Sequence, residues 1–265
     1  MLLLHGFPEC WYSWRHQLEA FATDYTVVAI DMRGYNESDK PTEKSAYKMV
    51  ELVKDVEGVI SALGYEQCVL VAHDWGGAIA WQFAYTYPDL LSHLIVLNLP
   101  HPAKFAAGLR TAKQLQRSWY IAAFQIPWLP EKLLAANNYA AIRKLFKESA
   151  INPEAFTEAD LDVLVAAAAK PGALTSMLNY YRNLPETLFT QQEWSVLTVP
   201  TLMIWGENDA ALGKELTYNT EAYVESLTIQ YIPSCSHWVQ QEQPSLVNEY
   251  IRTFLNTAET VSEKR

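Results

Sequence analysis

Cys68-Val69-Leu70-Val71-Ala72-His73-Asp74-Trp75-Gly76-Gly77 is the stretch that decides how this 265-residue chain is read. An apolar strand runs here straight into a cluster of small residues. Ala72, Gly76 and Gly77 flank Asp74 where a strained strand-turn-helix elbow needs small side chains, so that strand and helix can approach closely. In the G-x-S-x-G form of such an elbow the tip is serine. Here it is a carboxylate, which is ionised at neutral pH without the help of a base. A carboxylate attacks saturated carbon by displacement and forms an alkyl ester, as in opening an epoxide or expelling a halide. Attack on an ester carbonyl would instead give an unstable anhydride. The plainer reading is an Asp that caps the helix after a strand.

On the N-terminal side of the elbow, Leu2 to Leu4 read as the end of a buried strand and Cys10 to Ala22 as a helix with Trp11, Trp14 and Leu18 at helical spacing. Tyr25 to Ile30 reads as a β-branched strand, followed by a turn-rich loop from Asp31 to Pro41. Met49, Val53, Val56, Ile60 and Leu63 form one apolar stripe of a helix stopped by Gly64. The helix after the elbow closes near Tyr87-Pro88, and Leu94 to Leu99 is a further strand. This alternation of strand and helix implies a parallel sheet, whose functional loops lie at the strands' carboxyl ends.

From about His101 to Trp194 the alternation gives way to helices: Gln114 to Phe124, Glu131 to Asn137, Ala140 to Glu148, Glu158 to Lys170 and Leu174 to Arg182. The expected organisation is a core of residues 1–100 and 195–265 with a helical cap at 101–194. Pro200 to Gly206 returns to a buried strand, a helix is expected around Lys214 to Val224, and Leu227 to Ile232 is the last strand. A helix from Pro244 to Leu255 ends the fold, with a frayed tail from Asn256 to Arg265.

Composition narrows the function. With 50% hydrophobic and 19% charged residues the chain is an ordinary globular protein, large enough for one core with an insertion. A net charge of −10 argues against nucleic-acid or anionic-membrane partners, which call for a basic face. Three cysteines, Cys10, Cys68 and Cys235, odd in number and without metal-ligand spacing, point to reduced thiols and not to a disulfide frame. The opening Leu run is too short for a signal peptide and no later run has the length of a membrane span, which suggests a cytoplasmic protein.

Two strand ends after the cap supply partners for Asp74. Asp209 lies just beyond one strand, in Gly206-Glu207-Asn208-Asp209, and His237 just beyond the next, in Ser234-Cys235-Ser236-His237-Trp238. Each alone is weak, since an Asp in a turn is most often a turn former. Together they follow the order nucleophile, acid, histidine of a hydrolase triad. Glu207 is an alternative for the acid.

These motifs, with His5-Gly6-Phe7-Pro8-Glu9, Trp11-Tyr12-Ser13-Trp14-Arg15, Asp31-Met32-Arg33-Gly34-Tyr35 and Pro100-His101-Pro102, resemble the soluble epoxide hydrolases of the α/β-hydrolase superfamily over nearly the whole chain. The resemblance implies an α/β-hydrolase fold, mostly parallel, with a helical cap. It also implies two cap tyrosines, which match Tyr120 in Ser118-Trp119-Tyr120 and Tyr181 in Asn179-Tyr180-Tyr181-Arg182, with Tyr180 one register away. By the same likeness Asp74 forms a covalent ester, His237 oriented by Asp209 activates water, the N–H groups of Phe7 and Trp75 form an oxyanion hole, and neither a metal nor an organic cofactor is needed. His5, Pro8, Trp75 and Trp238 join them around a small hydrophobic epoxide, in a monomer or homodimer. The family's first two N-terminal strands have no counterpart here, so Tyr25 to Ile30 is expected to form a sheet edge. A dehalogenase of the same fold and a non-catalytic ligand-binding protein are the alternatives. The first needs halide donors where this chain has tyrosines and Phe7.

Overall fold

The computed structural model describes residues 1–189 and 193–262, with side chains described at 1–186 and 193–257. The first strand, β1 (Leu2–Leu4), is followed by a 3-10 turn at Trp11–Trp14, α1 (Arg15–Phe21), β2 (Val28–Ile30), α2 (Met49–Ala62), β3 (Cys68–His73), α3 (Trp75–Thr86) and β4 (Leu91–Leu97). Between β4 and β5 (Thr201–Gly206) lie α4 (Pro102–Gly108), α5 (Ala112–Arg117), α6 (Trp119–Ala123), α7 (Leu129–Ser149), α8 (Glu158–Ala168) and α9 (Ala173–Phe189). The chain then runs through β6 (Leu227–Ile232), α10 (Val239–Glu242) and α11 (Pro244–Ser262).

The strands form one parallel sheet in the order β2-β1-β3-β4-β5-β6. Their side chains alternate between two cores, as a strand's period of two demands. Leu2, Leu4, Leu70, Ala72, Leu94, Val96, Met203 and Trp205 face α2, α3 and part of the cap. Leu3, Val69, Val71, Ile95, Leu97, Leu202 and Ile204 face Phe21 of α1 and Val247, Ile251 and Leu255 of α11. On α2, Leu52, Val53, Val56 and Ile60 make the buried stripe that the sequence spacing predicts. Each such side chain contributes roughly 1.5–3 kcal/mol on full burial, so Val56→Asp would unseat the helix. The chain winds from β1 to β2 on one side and to β3 on the other. The crevice where this direction reverses is where such sheets carry their sites, and Phe7 and Asp74 lie there, just past the ends of β1 and β3.

The cap is helical in all its described regular structure. A capping box of Thr157 and Asp160 starts α8, satisfying N–H groups that a helix leaves open. Inside α7, Asn137, Asn138 and Tyr139 take left-handed φ values of 50, 55 and 60, which divides the helix where two separate helices were expected. Among the described residues no single helix is long and apolar enough to cross a membrane.

Several expectations are corrected. The segment Lys214 to Val224 is not one helix but two 3-10 turns, Lys214–Thr217 and Thr220–Ala222. The Thr217 hydroxyl bonds the Lys214 carbonyl and that of Thr220 bonds the Thr217 carbonyl, which offers the backbone an alternative to a helical ladder. The tail expected to fray continues α11 to Ser262, and residues 263–265 lie outside the described residues. Strand pairing in the Tyr25 to Ile30 run covers only Val28–Ile30, the sheet edge. The helix expected over Gln114 to Phe124 breaks at Ser118 into α5 and α6, and α4 was not anticipated.

Candidate active site

Asp74 occupies the turn between β3 and α3 with φ 47 and ψ −120, outside the regions an L-residue prefers. Such a conformation costs on the order of 1–3 kcal/mol and persists where its surroundings over-determine it. Here they do. A Cβ on Gly76 would stand 2.4 Å from the Leu4 carbonyl oxygen, and one on Gly6 would stand 2.3 Å from the Asp74 Cβ. Closing the elbow so tightly brings the Phe7 N–H to the Asp74 carboxylate, where it donates to Oδ1 at 2.8 Å. Trp75 contributes the first peptide of α3.

Beyond β5 and β6, Asp209 and His237 meet behind Asp74. His237 Nδ1 lies 2.6 Å from Asp209 Oδ2, and its Nε2 faces Asp74 Oδ2 at 3.6 Å. Asp209 is held on every side: Oδ2 accepts from Asn98 Nδ2 at 2.7 Å, and Oδ1 accepts from the N–H groups of Ala211 and Leu212 at 2.8 and 2.9 Å. Asn98 was missed by the sequence reading, although a lone amide at the end of the apolar run Leu94 to Leu97 was its visible signal. Glu207 pairs with Lys214 instead, so it is Asp209 that the structure brings to His237.

Burial acts to raise the Asp209 carboxyl, but the charge and hydrogen bond of His237, with Asn98 and the Leu212 N–H, hold it below the ordinary range. Burial likewise acts to raise Asp74, and the hydrogen bond and charge of His237 outweigh it, leaving Asp74 lowered. His237 itself would be lowered by burial, yet the Asp209 and Asp74 carboxylates raise it well above an ordinary histidine.

Above Asp74 opens a cavity of about 430 Å³, lined by Asp74, Trp75, Tyr120 and Tyr181 and by apolar side chains that include Leu99, Phe105, Ile121, Leu184 and Leu212. The rings of Tyr120 and Tyr181 meet edge to face at 5.9 Å, and Tyr181 also packs edge-on against Trp75 at 5.0 Å and Phe7 at 5.3 Å. Burial, then the negative charge of Asp74, pushes both phenols up, so they are protonated donors at neutral pH. Tyr180 also lines the cavity, but its hydroxyl donates to the Arg33 carbonyl at 2.7 Å and its ring packs on Tyr35 and Tyr47. Among the described residues no group of His, Cys, Asp and Glu is arranged to hold a metal ion.

Three expected substrate contacts lie off the cavity wall. His5 is buried, with Nδ1 on the Gly6 carbonyl at 2.9 Å and Nε2 accepting from the Met32 N–H at 3.1 Å, so both ring nitrogens serve the scaffold. Trp238 donates to Ser149 Oγ at 2.8 Å and packs at a tilt on Phe146 with ring centroids 4.5 Å apart, which ties the cap to the histidine loop. Pro8 follows Phe7 in a cis peptide and contributes to the loop, not to the wall. Phe7 and His237 are also absent from the wall.

Glu9 has a part that no sequence signal isolated. Fully buried, its Oε2 accepts from the Gly6 N–H at 2.9 Å and sits 2.7 Å from His73 Nδ1, while Oε1 accepts from Gln240 and Gln241 at 3.0 and 2.9 Å. His73 Nε2 in turn lies 2.9 Å from the His237 carbonyl oxygen. One carboxylate thus joins the Phe7 loop, the elbow and the segment after His237.

A family model described as the alpha/beta hydrolase fold matches residues 1–244. The chain is 43% identical to epoxide hydrolase 4 of Homo sapiens over 96% of its own length and 72% of that protein. It is 44% identical to epoxide hydrolase 3 of Xenopus tropicalis, over 96% of the chain and 71% of the relative. Among solved structures, an epoxide hydrolase of Bacillus megaterium in complex with an inhibitor superposes with a TM-score of 0.91 at 38% identity, covering 97% of this chain and 93% of the other.

Proposed function

The chain belongs to the epoxide hydrolases of the α/β-hydrolase fold, and from that premise we propose how its own residues open an epoxide to a vicinal diol. The observation that carries the reading is a carboxylate at a strained elbow, backed by a histidine at 3.6 Å and sharing the wall of an apolar cavity with two phenols. Asp74 attacks one epoxide carbon. Tyr120 and Tyr181 hydrogen-bond the ring oxygen and protonate it as the C–O bond breaks, which an apolar cavity requires because a free alkoxide is a very poor leaving group.

Ester formation removes the charge of Asp74, one of the two carboxylates that raise His237. Holding a proton on the imidazole then becomes less favourable, so the base is released at the step that needs it. His237, oriented by Asp209, takes a proton from water as that water attacks the Asp74 ester carbonyl. The N–H groups of Phe7 and Trp75 stabilise the oxyanion. As it collapses His237 returns its proton to the leaving diol oxygen, and the second proton of the water passes from the Asp74 carboxyl to the tyrosine that gave one up, which restores the carboxylate. The apolar wall favours small hydrophobic epoxides.

Single turnover in heavy-oxygen water tests the covalent step. The label is expected in the Asp74 carboxylate of the recovered enzyme. Label delivered directly to the diol would overturn the ester mechanism.

A further inference from the structure

We propose that Gln114 is a positioning residue that locks the cap helix carrying Tyr120 to the loop aiming Asp209, so that both half-reactions depend on one joint. The inference rests on the roles proposed above for Tyr120, Asp209 and His237. Gln114 belongs to α5, is 1% exposed and does not line the cavity, so any effect it has on the chemistry is indirect.

Both ends of its amide are used. Nε2 donates to the Ala211 carbonyl at 2.7 Å and to Ser118 Oγ at 2.9 Å, and Oε1 accepts from the Gly213 N–H at 3.1 Å. Acceptors on the nitrogen side and a donor on the oxygen side leave one sensible orientation of the amide.

On the core side, Ala211 is used from both ends of its residue. Its N–H donates to Asp209 Oδ1 at 2.8 Å, as that of Leu212 does at 2.9 Å, while its carbonyl accepts from Gln114. The cap side chain therefore closes the far side of the same turn that orients the acid. On the cap side, the Ser118 N–H donates to the Gln114 carbonyl at 2.9 Å, and the Ser118 carbonyl accepts from Ile121 at 3.0 Å in the first turn of α6, which carries Tyr120. The seam is close packed nearby, since a Cβ on Gly108 of α4 would come within 2.2 Å of Leu216 Cδ2. Loss of the amide leaves the Gly213 N–H and the Ala211 carbonyl without this partner at that seam, so the turn must shift to satisfy them.

Gln114→Met keeps the length of the side chain and removes its three hydrogen bonds. Rapid-quench mass spectrometry of a single turnover reads formation and decay of the Asp74 adduct separately. We expect Gln114→Met to slow both by at least about fivefold, because small misplacements at a reacting centre are costly. It should also shift the pH profile of decay, which general loss of folded protein would not do. Ser118→Ala, which removes only the bond on the cap side, should slow formation and leave decay and its pH profile unchanged.

Both rate constants within about twofold of the parent, or a loss no larger than the unfolded fraction seen by circular dichroism, would overturn the joint. Should Gln114→Met not fold, Gln114→Asn, which keeps the amide but cannot reach the loop, is expected to show the same double effect, and parental rates in it overturn the proposal equally. Tyr120→Phe and His237→Gln serve as references. If the first fails to slow formation or the second fails to slow decay, the reading of the site itself fails. If both behave and the Gln114 variants do not, only the joint is lost.

Discussion

Asp74, Asp209 and His237 stand just past the ends of parallel strands, whereas Tyr120 and Tyr181 stand within cap helices, and the two groups are held by different forces. The residues on the sheet side are fixed by hydrogen bonds to main chain and buried polar groups: Phe7 N–H on Asp74, and Asn98, Ala211 and Leu212 on Asp209. The cap tyrosines are fixed by rings, with Phe124 5.7 Å from Tyr120 and 5.0 Å from Tyr181 in edge contacts. Charge chemistry needs directions, which hydrogen bonds supply. A phenol aimed into an apolar cavity needs its ring held in place, which packing supplies. The division of labour predicts that loss of Asp209 or His237 stops the second half-reaction, that loss of a cap tyrosine hydroxyl slows the first, and that loss of Asp74 abolishes both.

The sharpest break in that division comes from His237→Gln. A general base contributes about 10²–10⁴-fold, so hydrolysis should fall by that order while ester formation persists, and an adduct on Asp74 should accumulate by mass spectrometry. Absence of any adduct alongside sustained turnover would remove His237 from the role. The same variant tests the electrostatics. The folded-state pKa of His237 is raised, so its stabilisation is complete below the ordinary value of about 6.5 and is lost as pH rises through the raised value. The alkaline fall in stability should therefore be weaker in His237→Gln, measured by denaturant melts across pH.

On the cap side, Tyr120→Phe and Tyr181→Phe remove a hydroxyl and keep the ring. Each should slow epoxide opening by about ten- to a hundredfold, the scale of ~1.4–3 kcal/mol for a lost transition-state hydrogen bond. The double variant should be nearly inactive. Haloalkane turnover that exceeds epoxide turnover and survives the double change would overturn the reading of these tyrosines. The smallest effect belongs to cap folding alone. Thr157→Ala breaks the capping box that opens α8 and should cost about 1 kcal/mol of stability, with rates unchanged. A large kinetic effect there would show that cap and site are coupled through α8 as well.

The same contrast explains what the sequence revealed. Asp74 is legible because the elbow constrains its neighbours to be small, and Asp209 and His237 are legible because each lies one turn beyond an apolar run. The cap tyrosines carry no local pattern of their own and emerge from resemblance. Tyr180 and Tyr181 both reach the cavity wall, and three-dimensional contacts tell them apart, above all that of the Tyr180 hydroxyl with the Arg33 carbonyl. Glu9, Asn98 and Gln114 escaped because their partners are main-chain groups or residues distant in sequence: Glu9 meets Gln240 across 231 positions. Nothing in a linear pattern reports a hydrogen bond across that separation. The broken segment at Lys214 to Val224 escaped for a local reason, since threonine hydroxyls compete with a helix that the spacing alone would allow.

The opposition of the two layers across the cavity has a stereochemical consequence. On the roles proposed above, the nucleophile belongs to the sheet and the proton donors to the cap, both on the wall of one cavity, so an epoxide would bind with the breaking C–O bond between them, its carbon toward Asp74 and its oxygen toward Tyr120 and Tyr181. Attack then comes from the side opposite the departing oxygen, and the attacked carbon inverts. Breakdown of the ester cleaves the bond between carbonyl and oxygen and leaves that carbon untouched. Net anti addition of water follows: a symmetrical trans-epoxide yields the meso diol, and a cyclic epoxide yields the trans diol, whichever of the two carbons Asp74 selects.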